Sequence, residues 1–77
     1  MQTHISIKLF ATLSKYTPVS ANNYPVASGT EIGVLLEQLG VPQNDVKLIF
    51  VDGRKGDLKS KLQGGERVGV FPPVGGG

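Results

Sequence analysis

The chain contains no cysteine and a single histidine, His4, so a thiol nucleophile, a disulfide framework and a Cys/His metal cluster are excluded at the outset. His4 falls near the start of the chain with no nucleophile motif elsewhere, which does not make a catalytic triad. Asp52 and Asp57, in "DGRKGD", are the residues that could pair for acid–base work, and their setting reads as turn formation instead. No GxxxxGK[ST] phosphate loop is present, and the glycines of that stretch do not join a strand to a long helix as a dinucleotide site requires. What remains is "FPPVGGG", residues 71–77. Pro72 and Pro73 hold φ near about −65° and favour an extended course. Gly75, Gly76 and Gly77 then carry the backbone without side chains, and the steps from Phe71 to Gly77 reach about 20 Å. Glycine loses more entropy on ordering than any other residue, so such a run is a poor finish for a packed domain. It suits a tail that must be bare, one whose backbone threads a narrow site in another protein.

The rest of the sequence must position that tail. At 77 residues the chain makes one small domain, read as residues 1–71 with an extended tail over 72–77. Net charge is +2, and Lys47, Arg54, Lys55, Lys59 and Lys61 are interleaved with Asp45, Asp52 and Asp57, which reads as a solvated face and not a nucleic-acid surface. The opening "MQTHISIKLF" has no basic segment followed by a long apolar run, and no stretch approaches the ~20 apolar residues of a membrane span, so a soluble cytoplasmic protein is expected.

In "HISIKLF", Ile5, Ile7 and Leu9 alternate with His4, Ser6 and Lys8, the period of a strand buried on one face, which puts Phe10 on the polar side. "ATLSKYTPVSANN" reads as a loop, and "YPVA" as a second strand held to a sheet edge by Pro25. "GTEIGVLLEQLG" places Ile32, Leu35, Leu36 and Leu39 on one helical stripe, with Thr30 expected to cap the first turn and Gly40 and Pro42 ending the helix. Gly33 inside that helix predicts a close contact with the sheet. "KLIFV" is a third strand followed by a tight turn at Asp52-Gly53; "DLKSKL" predicts a short helical turn, Gly64-Gly65 a turn, and "VGVF" the last strand.

This order predicts an α+β domain, a mixed sheet of four to five strands with one main helix across one face, for which the ubiquitin-like β-grasp is the compact solution. The other sheet face is then uncovered. Phe10 falls there, as does Phe71 if Val68 and Val70 point inward, and Ile49 joins them if Leu48 and Phe50 form the core pair. The three are expected to form a partner-binding patch.

"KLFATLSKYT", "GTEIGVLLEQLG", "KLIFVDG" and above all "LQGGERVGVFPPVGGG" resemble the MoaD/ThiS family of small sulfur carriers from about Ile5 to Gly77. The resemblance implies a non-enzymatic carrier with no bound cofactor. Its terminal glycine is adenylated by a separate ubiquitin-activating-like adenylyltransferase of the MoeB/ThiF type, which uses ATP and Mg, and is then converted to a thiocarboxylate. In the molybdopterin branch, favoured by "FPPV", the sulfur passes to a precursor in a synthase with a larger subunit of the MoaE type. Tungstopterin and thiazole synthesis use carriers of the same kind. A protein modifier forming isopeptide bonds through Gly77 is the alternative from another class, and a plain interaction module the third. The family usually ends in two glycines and this chain in three, so the working terminus is Gly77 or, after trimming, Gly76.

Overall fold

The computed structural model describes residues 2–73. Strand β1 (Gln2–Leu9) lies inside a five-stranded sheet with β2 (Tyr24–Ala27), β4 (Leu48–Val51), β5 (Arg54–Gly56) and, at its centre, β7 (Arg67–Phe71), in the order β2-β1-β7-β4-β5. The β1–β7 pair is parallel and the other three pairs are antiparallel. Two short strands, β3 (Thr30–Glu31) and β6 (Lys61–Leu62), pair outside the main sheet. The helix α1 (Ile32–Leu39) supplies the one helical layer, giving the expected α+β ubiquitin-like β-grasp. Among the described residues no helix is long and apolar enough to cross a membrane.

The predicted alternations build the core. Ile5, Ile7 and Leu9 of β1, Val68 and Val70 of β7 and Ile32, Leu35 and Leu36 of α1 are all buried in one apolar cluster. Leu39, the last residue of the stripe, packs against it partly exposed. Pro25 sits on edge strand β2 opposite His4, where its missing N–H interrupts nothing. Asp52 and Gly53 both have positive φ (54° and 82°), the geometry of the tight turn that closes the β4–β5 hairpin. Gly64 and Gly65 also turn the chain with positive φ, and the Glu66 carboxylate accepts the N–H groups of Gln63 and Gly64, both at 2.7 Å.

Helix α1 ends as the sequence predicts and begins otherwise. Gly40 adopts φ +83°, its N–H bonds to Glu37 O, and the N–H of buried Val41 reaches back to Leu36 O, so the last carbonyls are satisfied by backbone. At the other end Thr30 does not cap. Its hydroxyl, at the start of β3, donates back to Ala27 O at the end of β2 at 2.6 Å, and Glu31 precedes the helix with no side-chain cap. The first helical N–H groups are taken instead by the 58–60 loop, Ile32 N to Ser60 O at 2.9 Å and Gly33 N to Leu58 O at 2.8 Å. That explains Gly33: a Cβ there would stand 3.1 Å from Leu58 O, so the close approach is of helix to loop and not helix to sheet.

Two segments differ from expectation. Within "ATLSKYTPVSANN", Ala11–Tyr16 forms a 3-10 helix that buries Leu13 in the core, with Tyr16 packed beside it. "DLKSKL" makes no helical turn; Asp57 Oδ1 accepts the Lys59 N–H at 2.8 Å in a compact loop, and β6 follows.

Candidate functional site

The sheet face opposite the core carries the alternate residues of three central strands. On β1 these are His4, Ser6 and Lys8, and Phe10 continues them because its backbone is still extended (φ −99°, ψ 154°) and its N–H bonds to Val70 O. On β7 they are Arg67, Gly69 and Phe71. The register then fixes β4: Ile49 lies opposite buried Val70, while Leu48 and Phe50 lie opposite Phe71 and Gly69.

Ile49 is therefore not on the open face. It is 3% exposed and belongs to the core, and Phe50 takes the place expected for it. The physical reason is the partner strand: with Val70 inward, its cross-strand neighbour must be inward too. Phe10 and Phe71 do come together, their rings stacked at 4.1 Å between centroids and 5° between planes. Phe50 meets Phe71 edge-on at 5.7 Å and 87°, and the Lys8 ammonium lies 5.4 Å from the Phe10 centroid. Aromatic pairs add about 0.5–1.5 kcal/mol beyond burial, and an exposed cation–π contact about 0.5–1 kcal/mol. The cluster bounds a shallow groove of about 850 Å³, walled on one side by Thr17, Pro18 and Val19. Val19 is fully exposed at its edge. No signal within "KLIFV" marks Phe50, since an unbroken apolar run does not say which residues face outward.

The strand that carries Phe71 also launches the tail. Lys47 N donates to Phe71 O at 2.8 Å, and Pro72, which has no N–H, cannot continue the ladder, so the chain leaves the sheet beside the aromatic cluster. Pro72 is half-buried and Pro73 exposed. Val74, Gly75, Gly76 and Gly77 lie outside the described residues.

The other polar candidates are not brought together. His4 is exposed on β1, Asp52 Oδ1 accepts the Arg67 N–H at 2.9 Å, and Asp57 organises its own loop. Among the described residues no three His, Asp or Glu side chains gather as a metal site.

Comparison with known proteins gives the family. The family described as Mut7-C ubiquitin matches residues 2–75. The chain belongs to the Mut7-C ubiquitin family. No curated protein sequence matches it significantly. Among solved structures this Mut7-C ubiquitin chain is similar to the Haloferax volcanii HVO 2177 protein, with 22% identity over 99% of this chain and 88% of that one and a TM-score of 0.75. It is also similar to the H. volcanii small archaeal modifier protein 1, with 20% identity, 94% and 99% of the two chains covered and a TM-score of 0.67. A putative molybdopterin converting factor, subunit 1, from Pyrococcus furiosus is 23% identical, with 94% and 99% covered and a TM-score of 0.63. The resemblance to MoaD/ThiS carriers thus holds as one of fold: this Mut7-C ubiquitin chain shares the architecture of a molybdopterin converting factor subunit and of a small archaeal modifier.

Proposed function

We infer that this protein is a ubiquitin-like carrier whose glycine tail is activated by a partner enzyme, and that it carries sulfur as a terminal thiocarboxylate. The observation behind this reading is the exit of the chain: among the described residues the last ladder bond is made at Phe71, beside the stacked Phe10 and Phe71 rings, and the sequence continues through two prolines and a valine into three glycines. The chemistry follows from the groups present. A carboxylate resists nucleophiles because of its charge. A carboxylate oxygen of the tail attacks the α-phosphorus of ATP held with Mg by the partner, and pyrophosphate leaves. A hydrosulfide equivalent supplied by a partner then attacks the acyl-adenylate carbonyl, AMP leaves, and a thiocarboxylate remains. The protein is the substrate of these steps and contributes no catalytic group. Phe10 and Phe71 hold the partner while Pro72, Pro73 and Val74 extend Gly75, Gly76 and Gly77 into its site. Similarity to a molybdopterin converting factor subunit supports sulfur delivery to a molybdopterin or tungstopterin precursor, with a larger synthase subunit as second partner. Thiazole synthesis is the other acceptor of this class.

Similarity to a small archaeal modifier protein favours a second reading, isopeptide attachment to lysines through the same activated terminus. Intact-mass spectrometry of the protein after incubation with a ubiquitin-activating-like enzyme, ATP, Mg and a sulfur source separates the two. Replacement of one oxygen by sulfur at the terminus supports the carrier; lysine adducts bearing a glycine remnant support the modifier. The same measurement on protein from its own cells identifies which glycine carries the free carboxylate. No mass change with an enzyme active on another substrate rejects both.

A further inference from the structure

The middle of the open sheet face holds a pit where a side chain would be expected. Gly69 lies between Lys8 on one neighbouring strand and Phe50 on the other. Its φ is not among the positive ones, so the backbone does not call for glycine. Packing does not call for it either: a Cβ at this position would meet Phe10 Cε2 at 3.5 Å and Phe71 Cε1 at 3.8 Å, ordinary contact distances. Glycine in a strand weakens it, and recurs where something else approaches the backbone closely.

The surroundings define what approaches. Lys8 and Arg67 line the groove and no carboxylate does. Lys55, opposite Phe50 on β5, adds a third cation to the same face. Asp52, at the adjoining turn, is engaged through Oδ1 with the Arg67 N–H. The aromatic rings are also oriented tellingly. Phe10 and Phe71 spend a face on each other, Phe50 abuts Phe71 edge-on, and the Lys8 ammonium approaches Phe10. Single-stranded nucleic acid needs free ring faces on which bases stack. A face taken by a stacked ring is closed to a base, while the rings offer apolar contact and the cations suit carboxylates.

We propose that the pit over Gly69 and its cationic rim are a receptor for an acidic, apolar protein segment, one that seats an aliphatic side chain on Gly69 beside the stacked Phe10–Phe71 pair and Phe50 and sets carboxylates against Lys8 and Arg67. This rests on the reading of the open face as the partner surface and is independent of the chemistry of the tail. The segment belongs to the partner that activates or receives the carrier, and the charge pattern speeds and orients that encounter.

The test is an NMR titration of the ¹⁵N-labelled full chain with an acetylated, amidated peptide alternating leucine and aspartate, alongside a leucine–lysine peptide and oligothymidylate. The aspartate peptide is expected to shift the amides of Lys8, Arg67 and Gly69, and its affinity is expected to fall about tenfold in Gly69→Ala and in Lys8→Glu, changes of the size seen for central interface positions. Amide spectra of both variants that otherwise overlay with the parent establish that the fold is kept. Equal binding of the lysine peptide, shifts produced by oligothymidylate alone, absence of any shift with the aspartate peptide, or unchanged affinity in Gly69→Ala each overturns the proposal. Thiocarboxylate formation is read separately by mass, so failure of the carrier reading and failure of the docking reading are told apart.

Discussion

Ile49 and Phe71 occupy adjacent strands and opposite faces, and truncating them should have opposite consequences. Ile49→Ala empties a site that is 3% exposed, and a loss of about 2–5 kcal/mol in urea unfolding is expected with little change in partner affinity once the protein is folded. Phe71→Ala and Phe10→Ala remove half-buried rings from the open face, and partner affinity should fall by ~2 kcal/mol or more while stability falls by less. Calorimetric binding to the activating enzyme, paired with thermal melts, decides the matter; parallel losses would make the rings ordinary core. The opposite placement of Ile49 and Phe50 could not be read from "KLIFV" because four apolar residues in succession carry no phase. A one-residue change of phase inverts every side chain, and only the partner strand, with Val70 inward, selects between the two. On β1, where polar and apolar residues alternate, Phe10 could be assigned its face directly.

Helix α1 and the loop that follows β5 form one unit, because the helix has no side-chain cap and its first N–H groups end on the carbonyls of Leu58 and Ser60. Gly33→Ala should therefore destabilise by about 1–2 kcal/mol, although alanine is favoured over glycine in a helix by roughly 1 kcal/mol, since the new methyl group meets a backbone carbonyl at 3.1 Å. Asp57→Ala, at an exposed position, should cost ~1 kcal/mol by releasing the Lys59 N–H and loosening the loop that caps the helix. Urea midpoints for both variants check this; a stabilised Gly33→Ala protein would show that the loop yields. Helix termination was readable because Gly40 and Pro42 act locally. Helix initiation was not, because the capping atoms lie more than twenty residues away and are main-chain carbonyls, which leave no mark in residue type. The 3-10 segment Ala11–Tyr16 escaped for a related reason: Leu13 and Tyr16 face the core at a spacing of three, too short a run to stand out among Ser, Thr and Lys.

In the whole molecule, the domain and its tail should respond to change independently. Adding one residue after Gly77 should abolish activation and leave the melting temperature almost unchanged, because among the described residues the last ladder bond is at Phe71, while the extra residue moves the terminal carboxylate by roughly 3 Å. Deleting Gly77 is the companion: full activity places the working end at Gly76, and loss places it at Gly77. Activation of the extended protein without trimming would remove the terminus from the mechanism. Placing the first and last strands side by side at the centre of the sheet also imposes a timing on synthesis. Ile7 pairs with Val68, sixty-one positions later. At the ~5–20 residues per second of translation, β1 waits about 3–12 s for its central neighbour. Through that interval its apolar face has no finished sheet to join, and a chain ended early at Glu66 should show no cooperative melt. Interrupted translation should then yield unfolded fragments open to proteolysis instead of folded decoys that would compete for the proposed activating enzyme with no tail to offer.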